Sequence, residues 1–432
     1  QITLFAKIAK GAGEEEADGT LSHGSTGRCC NIVWRFGKSA SLLDPAPQIF
    51  DDYMSPHDIQ PASTNGSRAL LSIDGGGVRG LLALQVLRRI ESVARDLTGN
   101  SDLRLCDCFD FIAGTSTGGI IAAALSIGLS VDQIEAFYLD NAEAMFARNS
   151  SLIKRLTTAR YETAALQQKL QEVFGHDTLL GSDRLRTLLM LVMLNASTSS
   201  PWPVSNNPMA RFNEIEACGP SSNLHLPLWQ LVRASAAAPF YFEPESITLE
   251  GREFLFFDGG ITPYNNPAFK LFQMATLPQY RLNWPTGEKQ MLLVSVGTGL
   301  LPKDLANETS ESVNFIKALP AAVQALMYTS STEQDLLCRS LSKVVAGDPI
   351  DMEVGDLIGS SPIGGRALFT YARYNADLSP RAMAASGLSF GDEVTFSLDN
   401  LASIGPCIEI GTRLAERVVK PEHLTGFLRP FR

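Results

Sequence analysis

The sequence holds no apolar run longer than seven residues, LLMLVML at Leu188–Leu194. About 20 are needed to cross a bilayer as a helix, so no helical span is expected. Histidine is scarce, with five in 432 residues, at His23, His57, His176, His225 and His423. Any site that needs an imidazole has few places to find one. The seven cysteines are odd in number and lack framework spacing: Cys29 and Cys30 are adjacent, and Cys106 and Cys108 are too close for a CxxC motif. Free thiols in a reducing, cytoplasmic compartment are expected. No excess of basic charge is present, since 36 Lys and Arg face 46 Asp and Glu for a net charge of -10. That balance argues against a nucleic-acid surface and against a polybasic membrane anchor. Transient, local apolar contact with a membrane stays compatible with it. No positively charged leader followed by an apolar stretch opens the sequence, and a first residue of Gln1 is equally compatible with a removed signal peptide.

What is present is a chain long enough for a large core, with 45% apolar residues. Residues 1–66 lack either structural period. KGAGEEEADGTLSHGSTG mixes glycine with acids, NIVWRF is a short strand candidate, and a Pro-, Asp- and Ser-rich stretch follows as linker. An irregular N-terminal extension over 1–66 and a catalytic domain over 67–432, with C-terminal helical additions, is the expected partition. From Arg68 onward strand-like and helical segments alternate. RALLSID leads to LLALQVLRRIESVARDL, DFIAGTS to TGGIIAAALSIGL, and TLLMLVMLNAS reads as a parallel strand covered on both faces. GREFLFFDGG, KQMLLVSVGTG and LFTYARYN are further strand candidates, and PLWQLVRASAAA is helical up to Pro239. This alternation predicts a three-layer α/β/α sandwich.

Two glycine-rich turns stand between strand and helix. Gly114-Thr115-Ser116-Thr117-Gly118 fits the G-x-S-x-G elbow. There the small flanking residues, Gly114 and Gly118, let a sharp turn lift a nucleophilic hydroxyl above the sheet. The helix opening behind it offers free amides to developing negative charge. A tight turn whose hydroxyl merely caps the helix is the plainer reading. DGGGVRG, Asp74–Gly80, is the second turn. Its successive amides suit an oxyanion or a phosphate. Gly75, Gly77 and Gly80 meet the G-x-G-x-x-G spacing, so a non-catalytic nucleotide- or phosphate-binding module is a competing reading. No acid clearly ends the next strand as a dinucleotide site would want, and no Lys-Ser/Thr pair follows. Arg79 has three uses open to it: steadying the loop, placing positive charge near a phosphoryl head group, or lying on the surface.

If Ser116 is a nucleophile, something must take its proton. His423 alone falls late enough for the usual triad order, which keeps a Ser-His-Asp esterase open, yet no strand delivers it. Asp258 closes the apolar strand EFLFF and precedes Gly259-Gly260. A strand end places it at the edge where the elbow is expected, and partial burial raises a carboxylate toward useful basicity. Asp74, directly before the glycines, is better suited to holding its loop. Phe240, Tyr241 and Phe242, with Met145 and Phe146, are candidates to line an apolar groove, and equally core residues.

DGGGVRG, GTSTG and DGG, at Asp74–Gly80, Gly114–Gly118 and Asp258–Gly260, resemble the three signatures of the patatin-like phospholipase family in order and placement. The resemblance implies a fold related to the cytosolic phospholipase A2 catalytic domain. It implies a lipid acyl hydrolase cleaving fatty-acyl esters of glycerophospholipids through a Ser116–Asp258 dyad. The oxyanion role would fall on Gly75, Gly76 and Gly77, with Arg79 near them. No metal or organic cofactor is implied, and the expected partners are an acyl-lipid substrate and, peripherally, a membrane.

Overall fold

The computed structural model describes residues 66–145, 163–239, 241–301, 315–391 and 394–428. The expected N-terminal extension up to residue 65, NIVWRF, His23, His57, Phe146 and Phe240 lie outside the described residues, as does the side chain of Met145.

Among the described residues nine strands form one sheet: β1 Arg68–Ile73, β2 Phe111–Thr115, β3 Leu188–Asn195, β4 Ser200–Ser205, β5 Glu245–Leu249, β6 Arg252–Asp258, β7 Met291–Val296, β8 Lys343–Ala346 and β9 Thr370–Tyr374. The path is β5-β6-β3-β2-β1-β7-β9-β8, with β4 added on β3. Strands β3, β2, β1, β7, β9 and β8 run parallel, while β4, β5 and β6 supply antiparallel pairings. The strands that read as continuous apolar runs are the ones covered on both faces. Ala69, Leu71 and Ile73 of β1, Leu189, Leu191 and Met193 of β3, and Leu292, Val294 and Val296 of β7 share one core. Helices α1 (Gly80–Thr98), α2 (Thr117–Ser126) and α5 (Leu228–Ser235) contribute to it, as does the late helix α8 (Ile404–Val418). The alternate residues Leu70, Phe111, Ala113, Leu188, Met190, Val192 and Leu293 pack on the opposite face under α6 (Ala268–Thr276). Two-residue alternation with both sets buried is what a sheet between two helical layers demands. The expected three-layer α/β/α sandwich is the observed architecture. Helices α3 (Val131–Met145) and α4 (Thr163–Phe174) lie between β2 and β3 in the chain, and α7 (Phe315–Leu341) precedes β8.

Strand β4, SPWPVS, has two prolines and no counterpart in the sequence reading. It is tolerated because Asn206 donates to Leu189 O, which fixes the alternation of the antiparallel ladder. Pro201 and Pro203 then fall where an amide would point away from β3, so neither removes a rung. Helix α5 ends at Ser235, four residues before the proline expected to stop it.

The same counting explains how the site is assembled. On β3, register with β2 covers Leu188–Val192, and register with β6 covers Met193–Asn195. The other side of β3 is occupied by β4 over the whole of Met190–Asn195. Strands β2 and β6 therefore share one side of β3, head to head. Thr115 sits opposite Val192, and Asp258 sits opposite Met193, one position further along. The chain leaves β2 into Ser116 just where β6 arrives with Asp258.

Candidate active site

Ser116 has φ 56° and ψ -124°, a backbone that non-glycine residues adopt only under constraint. A side chain on Gly114 would strike the backbone of Gly118, and one on Gly118 would strike Ile73 O. The two elbow glycines are there for close approach. Ser116 Oγ donates to Asp258 Oδ2 at 2.6 Å. Gly260 N–H donates to Asp258 Oδ1, also at 2.6 Å, so both carboxylate oxygens are held. Asp258 is 4% exposed. Burial pushes its carboxyl up to about 6, against the opposing effects of the Ser116 and Gly260 hydrogen bonds and the nearby Arg233 guanidinium.

The glycine loop lies against this pair and is braced from four directions. Asp74 accepts both guanidinium nitrogens of Arg373 on β9, at 2.9 and 2.5 Å, deep in the protein. Thr298 Oγ donates to Gly75 O at 2.7 Å, Val78 N–H donates to Leu398 O at 2.9 Å, and Arg79 Nε donates to Gly76 O at 3.3 Å. Gly77 has φ 58°, and any side chain there would strike Leu398 O. Two expectations for the loop change on contact with this geometry. Gly75 does not offer its amide to the site, because that N–H is donated to Asn265 O at 3.1 Å. Arg79 steadies the loop, one of the uses open to it, by donating Nε and Nη1 to Gly76 O and Gly299 O, and it does not line the cavity that holds Ser116. The amides of Gly76 and Gly77 have no partner among the described residues, and both residues line the cavity that holds Ser116 and Asp258.

That cavity has about 760 Å³ of open space. Ile120, Leu166, Tyr241, Phe242, Ile261 and Met327 give it apolar walls. It adjoins a second cavity of about 1000 Å³, and Pro239, Tyr241, Met327 and Leu398 line both. The second is more polar, with Arg79, Asn265, Gln324, Tyr328 and Ser331 among its walls. No histidine lines either one among the described residues. His423 Nδ1 lies 2.7 Å from Tyr374 Oη, and the two rings stack, which removes His423 as the partner of Ser116. On the side where side chains would point, Gly75, Gly76 and Gly77 pack against Asn265, Thr298 and Leu398.

Sequence reasoning passed over several residues that shape this centre. Ser235 Oγ accepts the Ser116 N–H at 3.0 Å and donates to Val192 O at 2.6 Å. Asn265 holds Gly75, and its Nδ2 donates to Ser331 Oγ at 3.0 Å. The small-residue stretch RASAAAP and the NN pair before Pro267 were the available signals. Among the described residues, no helix is long and apolar enough to cross a membrane, and no cluster of three or more His, Cys, Asp or Glu side chains could hold a metal ion.

The family model for patatin-like phospholipases matches residues 71–272, which contain the glycine loop, the elbow and Asp258. Patatin group M-3 and patatin group M-1 of Solanum tuberosum are each 30% identical over 247 residues, covering 53% of this chain. The chain spans about 60% of the length of these relatives. Among solved structures, VipD from Legionella pneumophila is similar over 81% of this chain and 67% of its own, at 13% identity and a TM-score of 0.35. The family match, the plant relatives and the sandwich around the three motifs identify residues 71–272 as a patatin-like phospholipase domain.

Proposed function

We propose that this protein is a lipid acyl hydrolase that cleaves fatty-acyl esters of glycerophospholipids with Ser116 as nucleophile and Asp258 as general base. One observation carries the reading: a serine held at positive φ donates a 2.6 Å hydrogen bond to a buried carboxylate on the wall of an apolar cavity. An ordinary helix-capping serine needs neither the strained backbone nor the buried acid. A carboxyl near 6 is mostly ionised at neutral pH, yet basic enough to share a proton.

Ser116 Oγ attacks the ester carbonyl carbon as its proton passes to Asp258 Oδ2. The oxyanion forms beside the Gly76 and Gly77 amides, which supply preorganised donors. As the carbon–oxygen bond to the leaving alcohol breaks, Asp258 returns the proton to that alcohol and an acyl-Ser116 ester remains. Water then gives a proton to Asp258 while its oxygen attacks the acyl carbon. Ser116 leaves with the proton, and the fatty acid is released.

The walls of the cavities support this substrate class. The apolar cavity suits an acyl chain. Arg79 is 6% exposed, has no carboxylate partner within ion-pair distance among the described residues, and lines the adjoining cavity. A buried guanidinium with no direct ion pair favours an anionic group beside it, and a lipid phosphate supplies one. Lipid profiling with wild type, Ser116→Ala and Asp258→Asn tests the proposal. Fatty-acid release is expected from wild type alone, and turnover by Ser116→Ala would overturn it.

A further inference from the structure

The register of β2 on β3 dictates where the amide of Ser116 should go. Leu188 N–H donates to Asp110 O, so even-numbered residues of β2 bond toward β3. In a parallel ladder the amides of Ile112, Gly114 and Ser116 are then aimed at the carbonyls of Leu188, Met190 and Val192. The last rung is not made directly. Ser116 N–H donates to Ser235 Oγ at 3.0 Å, and Ser235 Oγ donates to Val192 O at 2.6 Å. A hydroxyl from the last turn of α5 is inserted in the ladder at the residue where β2 turns into the elbow.

The insertion has a geometric use. Val192 O is also the atom that a side chain on Gly259 would strike, so the chain leaving β6 passes right beside it. Ser235 itself is fully buried, and a side chain on Gly119 would come within 3.0 Å of its Oγ, so its hydroxyl has little freedom. Parting β2 from β3 by one hydroxyl lets Ser116 leave the sheet while Asp258 enters from the opposite direction.

We propose that Ser235 is a positioning residue for the nucleophile, a hydroxyl relay that fixes the Ser116 backbone so that Oγ stays on Asp258. This rests on the dyad reading above. It also commits the Ser116 amide, which therefore takes no part in holding the oxyanion. Because the Ser116 hydrogen bond favours the ionised form of Asp258, loosening Ser116 shifts the acid upward.

The test compares Ser235→Thr with Ser235→Val, which share a shape and differ by one hydroxyl. Each is treated with an alkyl fluorophosphonate and assayed on a water-soluble short-chain ester, beside wild type. Ser126→Ala serves as a folding control, because its buried hydroxyl donates only within its own helix, to Ala122 O. With Val, the labelling rate of Ser116 and kcat should fall about 10- to 100-fold with KM nearly unchanged, the scale expected for a misplaced reacting group. Its pH–rate midpoint should move above that of wild type. With Thr, both rates should recover to within a few-fold. Equal rates for Val and Thr, or a loss in Val no larger than Ser126→Ala shows at matched stability, would overturn the relay. Wild type that turns over the ester without labelling at Ser116 would instead sink the dyad reading, and the relay with it.

Discussion

Replacing Asp258 by asparagine should make the protein more stable as it makes it inactive. The shapes match: an asparagine oxygen can accept the Gly260 N–H, and its nitrogen can donate to Ser116 Oγ, so both hydrogen bonds survive in kind. What disappears is a buried charge. The Asp258 carboxyl rises from 3.8 to about 6 in the folded protein, with burial as the chief cause. A group whose folded pKa is raised favours folding below its unfolded pKa, and that contribution is lost as pH climbs through the folded value. Wild type therefore gives up stability between about pH 4 and pH 6, while the asparagine variant does not. A shift of about two units at 1.36 kcal/mol each is worth roughly 3 kcal/mol above pH 7. For a chain of this size, with an unfolding entropy of about 0.9 kcal/mol/K, that is a Tm increase of about 3 °C. Thermal and urea melts of both proteins at pH 4 and pH 8 measure it. The curves should coincide at the lower pH and separate at the higher. A variant less stable than wild type at pH 8, or a difference independent of pH, would refute the claim that Asp258 is held charged at a cost in stability.

Three further outcomes follow from the same geometry. The kcat/KM for a soluble ester should rise with an apparent pKa near 6 and level off above pH 7, as the Asp258 base form fills; a midpoint near 4 would mean that the working carboxylate is not desolvated. Gly77→Ala should lower kcat by about 10²- to 10³-fold, because a side chain at φ 58° meets Leu398 O and displaces the oxyanion donor proposed above; wild-type turnover would remove Gly77 from that role. Arg373→Ala should destabilise the fold by about 3–5 kcal/mol in urea, since Asp74 is left buried and unpaired, whereas exchanging both partners for apolar residues should recover most of it.

The parts of this centre that were legible in the sequence are the local ones. Glycines at 114 and 118, and the run at 75–77, announce turns where backbones come close, and their places between an apolar strand and a helix could be read from a few residues. The ends of β2 and β6 were likewise visible, because both strands are apolar runs stopped by glycine. What could not be read is what depends on side-by-side register. That β6 approaches β3 on the same side as β2 is a property of pairing, and no residue in either strand declares it. Ser235 looked like one small residue among several in RASAAAP, and its role follows from facing Val192 O. The commitment of the Gly75 amide to Asn265, 190 positions away, has the same origin. Strand β4 was missed because proline counts against a strand until the edge is known, and the register supplies that edge.

The most direct measurement is to mix wild-type protein with a slowly cleaved phospholipid, quench in acid within the first turnover, and weigh the intact protein. A gain equal to one acyl group, mapped by peptide fragmentation to Ser116 and absent from Ser116→Ala, is the predicted result. Fatty-acid release with no acyl adduct on Ser116, or with the adduct on another residue, would contradict the account.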